Sequence, residues 1–340
     1  MIFSRRKRQD SGRAAIVDFW AWWPAARPRV EAAVSSGDWS ALTSEVSGRV
    51  AAVHKDLAWE FSRGTGAKHA LVVSCGGDPA LRSVAARWHA LAPAGDPDWE
   101  YHTARQPDFD TLRAKIDIGG AELDLTELRI AFTRDPDRPE IDVVVFHPRF
   151  AVVPDAVRGQ VSFLVLDWVL GENGVEEWVG AVEWTADEPD GAADPLRLAE
   201  AVADLRAEYR EPQWVVFSGT LRGMPLTGLA QRPLRSVRWP RFDTHVAVTL
   251  PFAAEENGLP DDETLAGLRE FEDTVLAGAL GDADGELLVV ETSRGERTLH
   301  YYADGATPVA DELIEAAKRW PRARAERSLD PAFDAIAQFR

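Results

Sequence analysis

The sequence predicts an α+β protein: a larger mixed α+β N-terminal domain, then a C-terminal ferredoxin-like α/β sandwich. Three observations lead there. Past residue 240 the apolar pattern runs in the order β-α-β-β-α-β, the split arrangement that lays two helices on one face of an antiparallel sheet. Upstream, helical and strand-like periodicities follow one another with no fixed repeat. The chain has 340 residues, 45% hydrophobic and 28% charged, which is ordinary for a globular protein long enough to build two cores. The expected division is a basic disordered leader over 1–13, a mixed domain over 14–235 and the sandwich over 236–340. The Arg- and Pro-rich stretch 231–243 marks the boundary.

The elements follow in order. Residues 14–37 read as a helix broken at Pro24 and Pro28, with Trp20, Trp23, Val30 and Val34 on one face. Leu42, Val46, Val50 and Val53 step by three or four and predict a second helix, with Asp38 or Ser40 as its cap. Residues 57–64 alternate as a strand, and 68–77 form an apolar strand ending in two glycines. Asp78-Pro79 then opens a helix to Pro93, Asp as N-cap and Pro at the first helical position. Strands are expected over 98–107, 112–120, 122–135 and 140–150. A helix over 156–174 ends at Gly171 or Gly174, and 175–184 alternates as a strand. An amphipathic helix covers 196–211. Residues 213–230 read as two strands joined at Arg222-Gly223, or as one strand and a loop. In the C-terminal part, strands at 244–252, 285–293, 297–303 and 323–328 alternate with helices at 261–280 and 308–320. Arg294-Gly295 makes a compact turn, and 331–339 reads as a last docking helix.

The C-terminal residues resemble a bacterial family, domain-of-unknown-function family 695. The match lies over 240–340: Gly258-Leu259-Pro260, a helix with the acidic pair Glu272-Asp273, a hairpin carrying Thr292, Gly295 and Arg297, and a strand with Tyr301 and Tyr302. The upstream part resembles the amino-terminal region of longer members, through DFWAWWP near the start, the strand-Gly-Gly-helix element around Cys75, and LDWVLGE at 166–172. The layout is distantly similar to the family of the regulator of ribonuclease E activity B, acidic inhibitors that work by protein contact. The resemblance brings no established activity with it, and likeness of layout and charge does not fix function.

Charge narrows the partners. Lys plus Arg is 38 and Asp plus Glu is 56, for a net of −18. That argues against duplex DNA and anionic membranes, which need a positive face, and favours a basic protein surface. The basic run Arg5-Arg6-Lys7-Arg8 lacks a following apolar stretch, so no signal peptide is expected. The run either touches phosphates or is a solvated terminus. With one cysteine, no disulfide framework or multi-Cys metal site is possible. A cytoplasmic location is expected.

Site candidates are sparse. Cys75 precedes a helix N-terminus, which suits a low-pKa nucleophile partnered by His54, His69 or His89, or else a small buried thiol. The seven histidines form no HxH, HxxxH or HExxH pair. Glu172, Glu176, Glu177 and Glu183 are candidates for a hard cation or paired carboxylates, Glu177 and Glu183 sharing one strand face if 175–184 is extended. The alternative is a solvated face. CGGDP lacks any phosphate-loop pattern, so no cofactor is expected. Trp20, Trp22 and Trp23 compete for one buried face, which makes Trp22 a candidate partner anchor. Tyr301 and Tyr302 suggest a stacking platform or partner contact. The ten basic and 21 acidic residues over 240–340 argue against RNA there. The expected function is protein binding or regulation by contact. The alternative is a hydrolase built on Cys75 or the acidic set.

Overall fold

In the computed structural model the first helix, α1 (Ile2–Ser36), runs through both Pro24 and Pro28 without a break. Its buried positions Ile16, Phe19, Trp23, Ala26, Val30 and Ala33 repeat at three and four. Both prolines sit on the exposed face, where a helix that curves around a core tolerates a missing hydrogen bond. Val34 is exposed rather than on the buried face. The structure describes residues 2–40, 42–118, 120–281 and 283–340, with side chains from Gly12 onward. The side chains of the basic run Arg5–Arg8 therefore lie outside the described residues. Next come α2 (Leu42–Val53), β1 (Ala58–Arg63), β2 (His69–Ser74), α3 (Pro79–Ala90) and β3 (Trp99–His102). Leu42, Val46, Val50 and Val53 are the buried positions of α2, as their spacing requires. The Asp78 side chain accepts the Ala80 N–H at the head of α3 at 2.9 Å. β1 and β2 are antiparallel, β2 and β3 parallel, and α1, α2 and α3 share one core with this sheet.

Residues 104–213 form a second compact unit. It contains the hairpin β4 (Lys115–Ile118) and β5 (Ala121–Asp124), then β6 (Arg129–Arg134) and β7 (Ile141–Phe146). The single strand expected over 122–135 is split. Asp124 accepts the Thr126 N–H, and a 3-10 turn at Leu125–Glu127 redirects the chain. α4 (Asp155–Leu170), α5 (Glu172–Trp178), β8 (Val179–Thr185) and α6 (Pro195–Glu208) follow. Here too the expectation is corrected. Residues 172–178 are helical because Gly171, at φ 73°, ends α4 and restarts the chain, which then buries Trp178. β7 is central in a three-stranded sheet, antiparallel to β6 and parallel to β8, and α4 and α6 pack on it.

The other unit combines residues 1–103 with 214–340, unlike the expected division near 236. Its C-terminal part adds β9 (Gln213–Leu221), β10 (Met224–Arg232), β11 (Thr244–Pro251), α7 (Asp262–Phe271), β12 (Gly285–Ser293), β13 (Glu296–Ala303), α8 (Val309–Ala317) and β14 (Arg324–Leu329). The order from β11 on is the β-α-β-β-α-β read from the sequence. These strands form a six-stranded antiparallel sheet, ordered β14-β11-β13-β12-β10-β9. β9 and β10 are therefore continuous with the C-terminal sheet. Arg222-Gly223 and Arg294-Gly295 close the two hairpins, all four residues at positive φ, the backbone that a two-residue hairpin turn demands. Period-two alternation sends Val246, Val248, Leu250, Leu299 and Tyr301 toward α7 and α8. The opposite face is partly covered by a final 3-10 segment through Ile336 and Phe339. Among the described residues, no helix is long and apolar enough to cross a membrane.

Candidate functional site

The residues singled out by sequence do not converge. Cys75 follows β2 and is 7% exposed, within the core shared by α1, α2 and α3. The three histidines considered as its partners are engaged elsewhere. His54 Nδ1 accepts the Asp56 N–H, His69 lies against Trp99, and His89 Nε2 is 2.9 Å from the Tyr101 carbonyl oxygen. Trp22 is half-buried. Its indole N–H donates to Glu45 at 2.7 Å and Arg49 lies over its ring, so the proposed anchor clamps α1 to α2. Tyr301 is 1% exposed and Tyr302 0%. Neither ring is available as a stacking platform or partner contact, because one points into the helix-side core and the other lies beneath Phe333. Glu172 and Glu177 sit on α5, whereas Glu183 sits on β8. The shared strand face expected for Glu177 and Glu183 does not exist, since Glu177 is helical.

What the structure does bring together is a set of buried polar networks around the six-stranded sheet. On the helix side, Arg297 from β13 meets Glu272 at the end of α7. Its Nη2 donates to Glu272 Oε2 at 3.0 Å, its Nε to Oε1, and its Nη1 to Thr292 Oγ1 at 3.0 Å. A wider π-type turn over Glu272–Leu276 carries that carboxylate. The Gly258 loop docks on the same hairpin: the Gly295 N–H donates to the Gly258 carbonyl at 2.9 Å. Gly258 has φ +81°, and a Cβ there would meet the Arg294 backbone at 3.0 Å. Thr292, Gly295, Arg297, Glu272 and Gly258 thus act together as packing and bonding partners of one hairpin. Burial, then the nearby Glu272 carboxylate, pushes the Tyr301 phenol well above its ordinary range.

On the opposite face lies a row of ionisable side chains. His245 Nε2 is 3.0 Å from His300 Nδ1, the rings stacked at 10°, and His300 Nε2 is 3.4 Å from Glu291 Oε1. One proton bridges the two imidazoles, because a nitrogen–nitrogen hydrogen bond needs one donor and one lone pair. Burial above all, then His300, holds His245 down to about 4. Tyr302 donates to Asp330, which also accepts the N–H groups of Asp334 and Ala335 at 2.9 Å each and so ties down the C-terminal segment. Sequence reading by local spacing misses the His pair, since its members are 55 residues apart. The available signal is alternation: His245 and His300 sit beside Val246 and Leu299 and point away from them.

A third network binds α3 to the C-terminal strands. Arg87 reaches both Asp243 and Asp304, and Ser83 donates to Asp243 at 2.9 Å. Burial works against the charged Asp243, but Arg87, Ser83 and Thr244 hold its carboxyl below the ordinary range. Near β3, burial likewise opposes the Glu100 charge, while His102 and the backbone of Thr65 and Gly66 bring it to about 2. These carboxylates are saturated with donors, which suits scaffolding rather than proton transfer. Among the described residues, no group of three or more His, Cys, Asp or Glu side chains could hold a metal ion.

Two exposed surfaces flank the six-stranded sheet. The outward faces of α7 and α8 carry exposed Asp262, Glu263, Glu270, Asp273, Asp311, Glu312 and Glu315 against Arg269, Lys318 and Arg319. The outer strand β9 exposes Trp214, Val216 and Leu221. Compared with known proteins, the chain matches no protein-family model, no curated protein and no solved structure.

Proposed function

We propose that this protein is a binding or regulatory module that acts by protein contact, and that its acidic helix layer meets a basic protein surface in the cytoplasm. The observation that carries the proposal is the outer face of α7 and α8, where seven exposed carboxylates meet Arg269, Lys318 and Arg319, with Asp311 also paired to Arg327 of β14, in a chain of net charge −18. Opposite charge steers encounter and fixes orientation more than it adds affinity. Its reach is about 8 Å at physiological ionic strength. The strand order β14-β11-β13-β12, with both helices on one face, supports reading this half as a ferredoxin-like sandwich widened by β10 and β9. The packing of Gly258, Glu272, Thr292 and Arg297 around one hairpin is what a family-695-type domain would use its signature for. The hydrolase alternative lacks support, with Cys75 buried and Glu183 on β8, apart from Glu172, Glu176 and Glu177 on α5.

Capture on immobilised full-length chain at about 0.05 and 0.5 M salt tests this. The comparison is with a variant carrying Glu263→Lys, Glu270→Lys, Glu312→Lys and Glu315→Lys. A basic protein should be retained at low salt, released at high salt and ignored by the variant. Salt-insensitive capture, or equal capture by the variant, refutes the reading.

A further inference from the structure

We infer that His245 and His300 form a proton-operated latch, in which uptake of a proton by the pair releases segment 331–340 from the face of the six-stranded sheet. The latch lies on the face opposite α7 and α8 and is independent of the acidic surface they carry. The segment is fastened at its start and seated along its length. The Asp330 N–H donates to the Asp243 carbonyl at 2.9 Å, and the Asp330 carboxylate takes the Tyr302 hydroxyl and the N–H groups of Asp334 and Ala335. Phe333, Ile336 and Phe339 are buried. Ring centre to ring centre, Phe333 lies 3.8 Å from Tyr302 and Phe339 lies 6.0 Å from His300. Phe333 holds φ 61°, a left-handed backbone that strains a bulky residue and persists only while the surroundings impose it. Tyr302 in turn lies 5.0 Å from His245. The two imidazoles therefore belong to the row of rings that the segment covers.

Hydrogen-bond polarity places the entering proton. A carboxylate only accepts, so the His300 Nε2 nearest Glu291 carries the hydrogen. His300 Nδ1 is then the lone pair that His245 Nε2 donates to, and His245 Nδ1 takes the next proton, from solvent. Cross-strand partners share a sheet face, which sets the charges around the pair. Glu286 and Glu291 of β12, Glu296 of β13 and Glu326 of β14 lie on that face, with Arg324 of β14 paired to Glu296. Asp330 acts on His245, and Asp334 and Arg340 of the segment act on Tyr302. Asp243, at the head of β11, is engaged by Arg87. Acids outnumber cations here, so charge alone would draw a proton in. Burial is what keeps His245 neutral, holding it down to about 4. β11 and β13 are locked in register from Thr244 to Pro251, whereas the segment is a short 3-10 turn seated by side chains. Elements of the second kind open at lower cost than a strand ladder, so water reaches the imidazoles by lifting the segment. By linkage, a layer that must open for the proton to bind is opened by that proton.

Hydrogen exchange of the full chain, read peptide by peptide and divided by the free-peptide rate at each pH, tests the latch. With His245 at about 4 when covered and 6.5 when open, opening should become about twentyfold more favourable from about pH 7 to about pH 5. Protection over 331–340 should fall by that factor, while β11 and β13 keep theirs. In His245→Gln and in His245→Asn the fall should stay under about threefold, since no proton is taken up there. Far-UV circular dichroism verifies each fold, and either His245 variant suffices if the other fails to fold. Tyr302→Phe, which removes one fastening of Asp330, should raise exchange in the segment already at neutral pH. Constant segment protection through the window overturns the inference. So does a fall that the His245 variants share in full, or an equal loss in segment and strands, which marks opening of the whole fold. A Tyr302→Phe segment as protected as the parent's removes the coupling to Asp330 and overturns it too. None of these outcomes bears on whether the acidic helices bind a basic partner, since that contact is read by capture and charge reversal.

Discussion

Removing the Glu272 carboxylate should be among the most damaging single changes in the C-terminal half. Arg297 is 11% exposed at its side chain and Glu272 10%. Three of the guanidinium's five N–H donors are used there, two on Glu272 and one on Thr292. In Glu272→Ala two of those bonds vanish and a buried cation loses its counter-charge, a loss worth about 3–5 kcal/mol when one partner of a buried pair is deleted. Thr292→Val removes a single bond to a charged group, at about 1.5–3 kcal/mol. The double variant Glu272→Met/Arg297→Met removes both charges and should recover most of the loss, because apolar residues of similar volume often replace a buried pair at little cost. Urea unfolding of the four proteins, followed by circular dichroism, gives the comparison. The expected order is Glu272→Ala least stable, Thr292→Val intermediate, and the double variant closest to the parent. A loss below about 1 kcal/mol in Glu272→Ala, the worth of an exposed pair, would refute the reasoning, as would a double variant worse than the single.

The His245–His300 pair should make the fold acid-sensitive. His245 is held down to about 4 by burial and by His300, against 6.5 in the unfolded chain, with Glu291 beyond His300 and Asp330 nearby. The unfolded chain then binds the extra proton between those values, so this stability is complete above about pH 6.5 and is lost as pH falls toward 4, on the order of 3 kcal/mol in all. Urea midpoints measured through that window should fall with acid in the parent and much less in His245→Gln; parallel slopes would remove the His245 assignment. Cys75 should be inert in the native protein. Thiol-reagent labelling at neutral pH should be slow and should become fast only in denaturant, whereas fast native labelling would show an open, activated thiol.

Legibility in the sequence followed the range of the interactions. α2 and α3 rest on spacings of three and four residues and on a cap two residues from its donor, all visible within one window. The Arg294-Gly295 turn is equally local, whereas the run around Arg222-Gly223 also allows one strand and a loop, and pairing in the six-stranded sheet decides for the hairpin. α1 crosses two prolines because buried residues on its far face hold it to a core that the window does not contain. VEEWVGAVEW alternates locally and predicts a strand from Val175, whereas Gly171 and the burial of Trp178 keep 172–178 helical. The site networks were the least visible. Arg87 is separated from Asp243 by 156 residues and from Asp304 by 217, and no spacing rule reaches that far.

The residues that looked most like a signature are the ones the scaffold consumes. Glu272, Thr292 and Arg297 bond one another, Gly258 and Gly295 let two turns touch, and Tyr301 and Tyr302 are enclosed. A side chain whose bonds are all made inside the fold has little left to offer a ligand. Function is better sought where bonding capacity is left over, which here means the carboxylates of α7 and α8, or where a closed network takes up a proton, as at His245 and His300. The two answer to different variables. Screening weakens attraction between an acidic face and a basic partner. A buried imidazole is screened far less and answers to pH instead. A salt series at fixed pH and a pH series at fixed salt therefore separate the two. If one surface did both jobs, the two series would move the same contact.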